Sequence, residues 1–293
     1  PHRCGLETSG GDDSSTGVVY GTTTRNKPHQ PTTGRLTSAV SHQRSNSSQL
    51  PAMITVPVSR IDQGCHHQGF CDQKDWAIVE AFLSPQPAMD DGRLHFPATA
   101  RNREAIAEVL EPLLPQRGLV LEIASGSGEH LCHFQQQFAA SHPLLRWQGS
   151  DPDPLHRCSL QAWADALDLK AMEEPLDLDA TAVPWPALDP ALILCINMIH
   201  IAPWAACQGL LAEAGRQLPK DGQLVLYGPF VEPSVPTSPS NEAFDASLRS
   251  RDPGWGLRSL EQVSALAASH GLQLSGRWAM PANNLTVAYR HSG

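Results

Sequence analysis

The chain has 293 residues, 41% of them hydrophobic, which is enough for one large or two small domains with a substantial core. Its formal charge of −9 sits entirely in residues 89–293, because residues 1–88 hold 7 basic and 7 acidic side chains. Gripping a nucleic-acid backbone calls for a basic face, so nucleic acid is not an expected partner. No apolar run reaches the roughly 18 residues that cross a bilayer, so no membrane partner is expected either. Seven cysteines without paired spacing read as the reduced thiols of a cytoplasmic protein.

Residues 1–50 contain 8 Ser, 8 Thr, 6 Gly and 3 Pro, half of the segment. Such a composition buries too little apolar surface to offset its ordering entropy and reads as disordered. The run Cys65-His66-His67-Gln68-Gly69-Phe70-Cys71 imitates half a zinc site, but no second Cys/His pair stands at finger spacing, and no metal is expected. A short helix is predicted over 75–83, stopped by Ser84-Pro85-Gln86-Pro87. Met89 then opens Met-Asp-Asp-Gly-Arg. The expected division is a disordered or weakly structured extension over 1–88 and one domain over 89–293.

From about residue 95 helical and strand patterns alternate, the mark of α/β layering around a largely parallel sheet. Thr99 is placed to cap a helix carrying Ile106, Val109, Leu110 and Leu113 on one face. A strand over 119–123 follows and runs into Glu122-Ile123-Ala124-Ser125-Gly126-Ser127-Gly128, which opens the next helix. Glycines let such a loop turn sharply and let a ligand lie against bare backbone at a helix N-terminus. A dinucleotide site would need a third glycine where Leu131 stands, which disfavours a nicotinamide oxidoreductase. The acidic-x-Ala-x-Gly-x-Gly pattern resembles motif I of class I S-adenosylmethionine-dependent methyltransferases. That resemblance makes Glu122, Ala124, Ser125, Gly126 and Gly128 candidate cofactor ligands.

Further strands are predicted over 145–149, 176–178, 191–196, 223–227, 272–278 and 285–290. Helices lie between them, one starting near Pro203 and one capped by Ser259-Leu260-Glu261-Gln262. Seven strands in this order match the Rossmann-like sheet that the resemblance implies, with the last strand antiparallel beside the fifth. Ligands of open α/β sheets lie across the carboxyl ends of the strands. Asp151 ends the second strand, where a carboxylate can take both ribose hydroxyls; Asp153 is the neighbouring alternative. Asp179-Ala180 ends the third, where the resemblance places the adenine amino group, and Asp179 reads equally as a turn residue. Asn197 ends the fourth, beside the expected methionine moiety. His200, three residues on, is either a base for an attacking hydroxyl or amine or a structural histidine.

The connection after the fifth strand is long, polar and aromatic: Tyr227-Gly228-Pro229-Phe230, then Asn241, Phe244, Asp245, Trp255 and Arg258. It reads as an ordered lid enclosing a small-molecule pocket together with Arg101 and Asn102, and with Asn283 and Asn284 from the last turn. Arg258 either clamps an anionic substrate group or pairs with Asp245. Arg101-Asn102, Trp147 to Asp151, Asn197-Met198-Ile199-His200-Ile201, Ser240-Asn241-x-x-Phe244-Asp245, Trp255-Gly256-Leu257-Arg258 and Met280 to Asn284 resemble the methyltransferase-like protein 26 group, also known as domain of unknown function 938. The resemblance covers about 96–290 and implies S-adenosylmethionine as cofactor and a small molecule as methyl acceptor. The alternative is a non-catalytic cofactor-binding module that docks a partner protein.

Overall fold

The computed structural model describes residues 86–87 and 91–293. The expected disorder over 1–50, the Cys/His run at 65–71 and the helix over 75–83 lie outside the described residues. At the start, β1 (Gln86–Pro87) and β2 (Leu94–His95) form a short antiparallel ribbon.

The helix α1 (Pro97–Leu110) begins two residues before Thr99. Proline at the first helical position gives up no hydrogen bond, so Pro97 opens the helix and Thr99 is buried inside it rather than capping it. Then follow β3 (Gly118–Ile123), α2 (Glu129–Phe138), β4 (Leu145–Ser150), α3 (Pro154–Ala166), β5 (Leu192–Ile196) and α4 (Trp204–Gln217). The chain ends with β6 (Gln223–Gly228), α5 (Pro239–Arg251), α6 (Leu260–Ser269), β7 (Leu272–Met280) and β8 (Asn284–His291).

The main sheet has six strands in the order β4-β3-β5-β6-β8-β7. The first four are parallel, and β8 inserts antiparallel between β6 and β7. The strand expected at 176–178 is absent, and its place beside β4 is taken by an irregular segment. There Glu173 donates to the Trp147 carbonyl at 2.7 Å, and Leu176 donates to that of Gly149 at 2.9 Å. A regular ladder would use the amide of residue 175, but that residue is Pro175, so the pairing slips by one and the strand is lost.

Alternation along each strand feeds two cores, one per face. Leu121, Ile123, Ile193, Cys195, Leu224 and Leu226 pack with α4 and α6. Val120, Leu192, Leu194, Val225 and Tyr227 pack with α1, α2 and α3. On the first face Gly209 of α4 lies against the Ala180 carbonyl, and a Cβ there would stand 1.9 Å from that oxygen. Gly209→Ala should therefore force α4 off the sheet and lower stability by about 3 kcal/mol or more, beyond the usual cost of an overpacked methyl. A urea melt of the variant against wild type reads that loss directly.

Candidate functional site

The carboxyl ends of β3, β4, β5 and β6 lie in register, Ile123 beside Ser150 and Cys195, and Ile196 beside Tyr227. The loops that follow them therefore gather at one sheet edge. The β3 loop takes left-handed backbone at Ala124 (φ 56°), Gly126 (φ 56°) and Gly128 (φ 84°). Its two glycines do different work. A Cβ on Gly128 would stand 2.5 Å from the Leu160 backbone of α3, so that glycine exists for helix packing. A Cβ on Gly126 would meet only the Phe96 ring, at 3.5 Å. Gly126 is thus the open face of the loop, while Gly128 also lets α3 pack close. Ser125 is buried: its amide donates to the Ser150 carbonyl at 2.8 Å, and its hydroxyl accepts from the Ser150 amide.

Glu122 is buried under this loop, and its Oε2 has no hydrogen-bond partner. Burial, reinforced by the Asp151 charge, pushes its carboxyl up to about 8. Asp151 holds the loop from the side: its Oδ2 accepts from the Gly126 amide at 3.0 Å, and its Oδ1 from the Asp153 amide at 2.9 Å. His156 on α3 also reaches Oδ1, at 3.1 Å, and that contact raises the imidazole above its ordinary range. Asp153 instead caps α3 by accepting from the Leu155 amide, which leaves Asp151 as the carboxylate at the loop. Asp179 is exposed and closes a turn, its Oδ1 accepting from both the amide and hydroxyl of Thr181 at 2.8 Å. Ala180 beside it is buried.

Asn197 adopts left-handed backbone (φ 64°) at the end of β5, and its Oδ1 is buried without a partner. His200 is fully buried, with the Phe230 ring edge-on at 5.0 Å. Its Nδ1 accepts from the Arg258 amide at 3.3 Å, which makes Nε2 the protonated nitrogen. Gly228 permits this placement, because a Cβ there would lie 2.5 Å from Nε2. Burial and the nearby Arg258 charge push His200 down to about 3, so the ring is neutral.

Neither role expected of Arg258 matches its contacts. Its guanidinium donates to the carbonyls of Ile199, Ala202 and Gly254, each at 2.8 Å, and lies over the Trp204 ring. Asp245 pairs with Arg249 at 2.8 Å and accepts from the Leu257 amide at 2.7 Å. Arginine's planar fork suits converging carbonyls, and the i,i+4 position on α5 gives Asp245 a nearer cation. Arg258 is therefore the pin that holds the lid to the β5 loop. Trp255 is half-buried in the same turn, its amide donating to the Asp252 carbonyl.

The rest of the lid is ordered rather than loop-like. Asn241, buried in α5, donates to the Asn283 carbonyl at 3.0 Å, and Phe244 is half-buried on the same helix. Asn284 turns back onto the Pro281 and Ala282 carbonyls, which makes it a turn residue. Tyr227 is buried and hydrogen-bonds Asn102, burial raising its phenol above the ordinary value. Asn102 Oδ1 in turn accepts from His130 Nε2 at 2.8 Å, while Arg101 is exposed on α1. Phe96, Glu129, His156, Gly149 and Gly228 were missed in the sequence. Gly149 and Gly228 had a signal, standing in the Trp147 to Asp151 and Tyr-Gly-Pro-Phe runs.

The model of a family described as a protein of unknown function, DUF938, matches residues 93–291. The chain belongs to the DUF938 family. Among solved structures it is similar to an O-methyltransferase family 2 protein from Planctomyces limnophilus in complex with apigenin. That match has 21% identity and a TM-score of 0.54, covering 66% of this chain and 59% of the other. It is also similar to the S-adenosylmethionine-dependent methyltransferase SibL (16% identity, TM-score 0.55, 67% and 56% covered). A third is the mitomycin 7-O-methyltransferase MmcR (14% identity, TM-score 0.55, 67% and 55% covered). The likeness establishes the Rossmann-like methyltransferase fold for this DUF938 chain, which spans less than two thirds of each of those proteins.

Two outcomes follow from this geometry. Gly128→Ala should lower stability by about 2–4 kcal/mol, combining left-handed strain with overpacking against α3; Gly126→Ala should lose only about 1–2 kcal/mol, as thermal melts of the pair will show. Acid should also loosen the fold through His130 and His200, both pushed by burial from 6.5 to about 3. In the unfolded chain each takes up a proton below 6.5 while the folded one does not, so stability falls as pH drops from 6.5 toward 3. Each ring contributes up to about 1.4 kcal/mol per pH unit. In His130→Gln the fall between pH 6.5 and pH 5 should be shallower by one histidine's share.

Proposed function

We propose that this DUF938 chain is an S-adenosylmethionine-dependent methyltransferase of the methyltransferase-like protein 26 group, acting in the cytoplasm on a small molecule. The observation that carries the reading is a pair of buried acceptors without partners, Glu122 Oε2 on β3 and Asn197 Oδ1 at the end of β5, at the sheet edge where the β3 loop bares its backbone at Gly126. Unpaired buried acceptors are costly, and a ligand bearing an ammonium and hydroxyl groups would satisfy them. Glu122 and Asn197 would face the amino-acid end of such a cofactor, Asp151 the ribose, and Asp179-Ala180 the base.

When bound, the cofactor supplies a methyl group made electrophilic by its sulfonium. The chain's part is to align the acceptor and exclude water, for which the lid pinned by Arg258 and walled by Phe230 is suited. His200 carries its proton at Nε2, where it has no partner, and its Nδ1 accepts from the Arg258 amide, so neither nitrogen is open to take a proton and we assign it to positioning the lid. That assignment fits an acceptor that is nucleophilic without an enzyme base, such as a thiol or an amine. It also keeps the binding-module alternative in view, and turnover separates the two. Labelled S-adenosylmethionine incubated with a metabolite extract should yield S-adenosylhomocysteine and a labelled small product; binding without turnover would favour the module.

Glu122 adds a sharper test. With its carboxyl near 8, it is protonated at pH 7 in the free protein, and an ammonium beside it favours the ionised form. Cofactor binding at pH 7 should then release close to one proton. Calorimetry in two buffers of different ionisation enthalpy should detect that release in wild type and lose it in Glu122→Gln.

A further inference from the structure

Upstream of α1 the chain crosses over the glycine loop and is fastened there at several points. The Phe96 amide donates to Glu129 Oε2 at 2.9 Å, the Ser127 hydroxyl donates to the same oxygen at 3.0 Å, and His95 Nδ1 meets Oε1. Glu129 is buried, so its carboxylate is spent on tying residues 95 and 96 to the loop. One residue back, the Leu94 amide donates to Ser159 Oγ at 2.8 Å, and that hydroxyl donates to the Ser127 carbonyl at 2.7 Å. The Leu94 carbonyl accepts from Trp163 Nε1 at 2.9 Å, and Arg93 lies over the Trp163 ring. These contacts join segment, loop and α3 into one body.

They deliver a single aromatic ring to the ligand edge. Phe96 stands 3.5 Å from where a Gly126 side chain would begin, and its edge meets His156, which holds Asp151 at 3.1 Å. We infer that residues 93–96 are a strap that completes the cofactor site, with Phe96 as a cofactor-contacting wall over Gly126 and Glu129 as the positioning residue that latches it. The inference rests on the cofactor reading above. The Phe96 ring reaches van der Waals distance of where a Gly126 side chain would begin, so ring and bare backbone are adjoining walls of one rim, against which a ligand portion would lie.

The test uses the full chain and S-adenosylhomocysteine as probe. Phe96→Ala should weaken binding at least tenfold, Phe96→Leu should fall between it and wild type, and Glu129→Gln should speed dissociation and amide exchange at residues 94–96. In wild type the probe should slow exchange at those amides. Should Glu129→Gln fail to fold, the two Phe96 variants decide alone, since α1 and the core do not depend on that half-exposed ring. Wild-type affinity in Phe96→Ala, with residues 94–96 exchanging equally with and without probe, would overturn the strap. A wild-type protein that takes up no probe would instead overturn the cofactor reading, and the strap with it.

Discussion

Much of this molecule depends on how closely Leu160 of α3 approaches the ends of β3 and β4. Its backbone occupies the place of a Gly128 side chain, and its Cδ1 lies 2.2 Å from where a Gly149 side chain would begin. Two glycines, one at the end of the β3 loop and one on β4, thus let one helix sink to the level of the loop. That depth brings His156 to Asp151 and Ser159 to the Ser127 carbonyl, and it sets Trp163 where it receives the Leu94 carbonyl. Raise the helix by one methyl group and each of these contacts lengthens together. Backbone packed against backbone cannot yield as a flexible side chain can, so the loop's shape is a consequence of α3 packing as much as of its own sequence.

The other half of the ligand edge is organised by a single arginine. Arg258 draws the carbonyls of Ile199, Ala202 and Gly254 together, and its own amide fixes the tautomer of His200. The Val231 amide donates to the Arg258 carbonyl, and the Leu260 amide to that of Val231, so the lid is stitched to the segment leaving β6. The sequence leaves this arginine either to clamp a ligand's anion or to pair with Asp245. Instead its donors are consumed by the carbonyls of irregular backbone, which otherwise would be left short of partners.

What could be read in the sequence follows from the range of the forces involved. The six main strands and the motif-I loop were legible because their signals, apolar alternation and a glycine pair after an acidic residue, are local. The apolar pair at 176–178 suggests a seventh strand, but the missing amide of Pro175 decides the ladder against it. Thr99 has a capping preference, but Pro97 is the better first-turn residue and opens the helix instead. Arg258, Glu129 and Phe96 could not be assigned correctly at all. Most of their partners are far off in the chain, Glu129 lying 33 residues from Phe96 and Arg258 59 from Ile199, and nothing local tells an arginine that clamps a ligand from one that gathers carbonyls.

The electrostatics of the ligand edge narrow the kind of molecule it can take. The chain is acidic, yet its buried titratable groups here are held neutral: Glu122 by burial, His130 and His200 by the same cause, and Tyr227 as an un-ionised phenol. Two cations near this edge are already engaged, Arg258 with three carbonyls and Arg157 with the Asp151 and Pro152 carbonyls and Asp177. Asp151 at the loop is bonded to the Gly126 amide and to His156, and Glu129 to Ser127 and the Phe96 amide. An anionic ligand would find these groups occupied and would lose hydration with little compensation. A neutral molecule loses less, and Glu122 is the group proposed to meet the cofactor's own ammonium. Neutral polar groups at this edge would leave recognition to shape and hydrogen bonding.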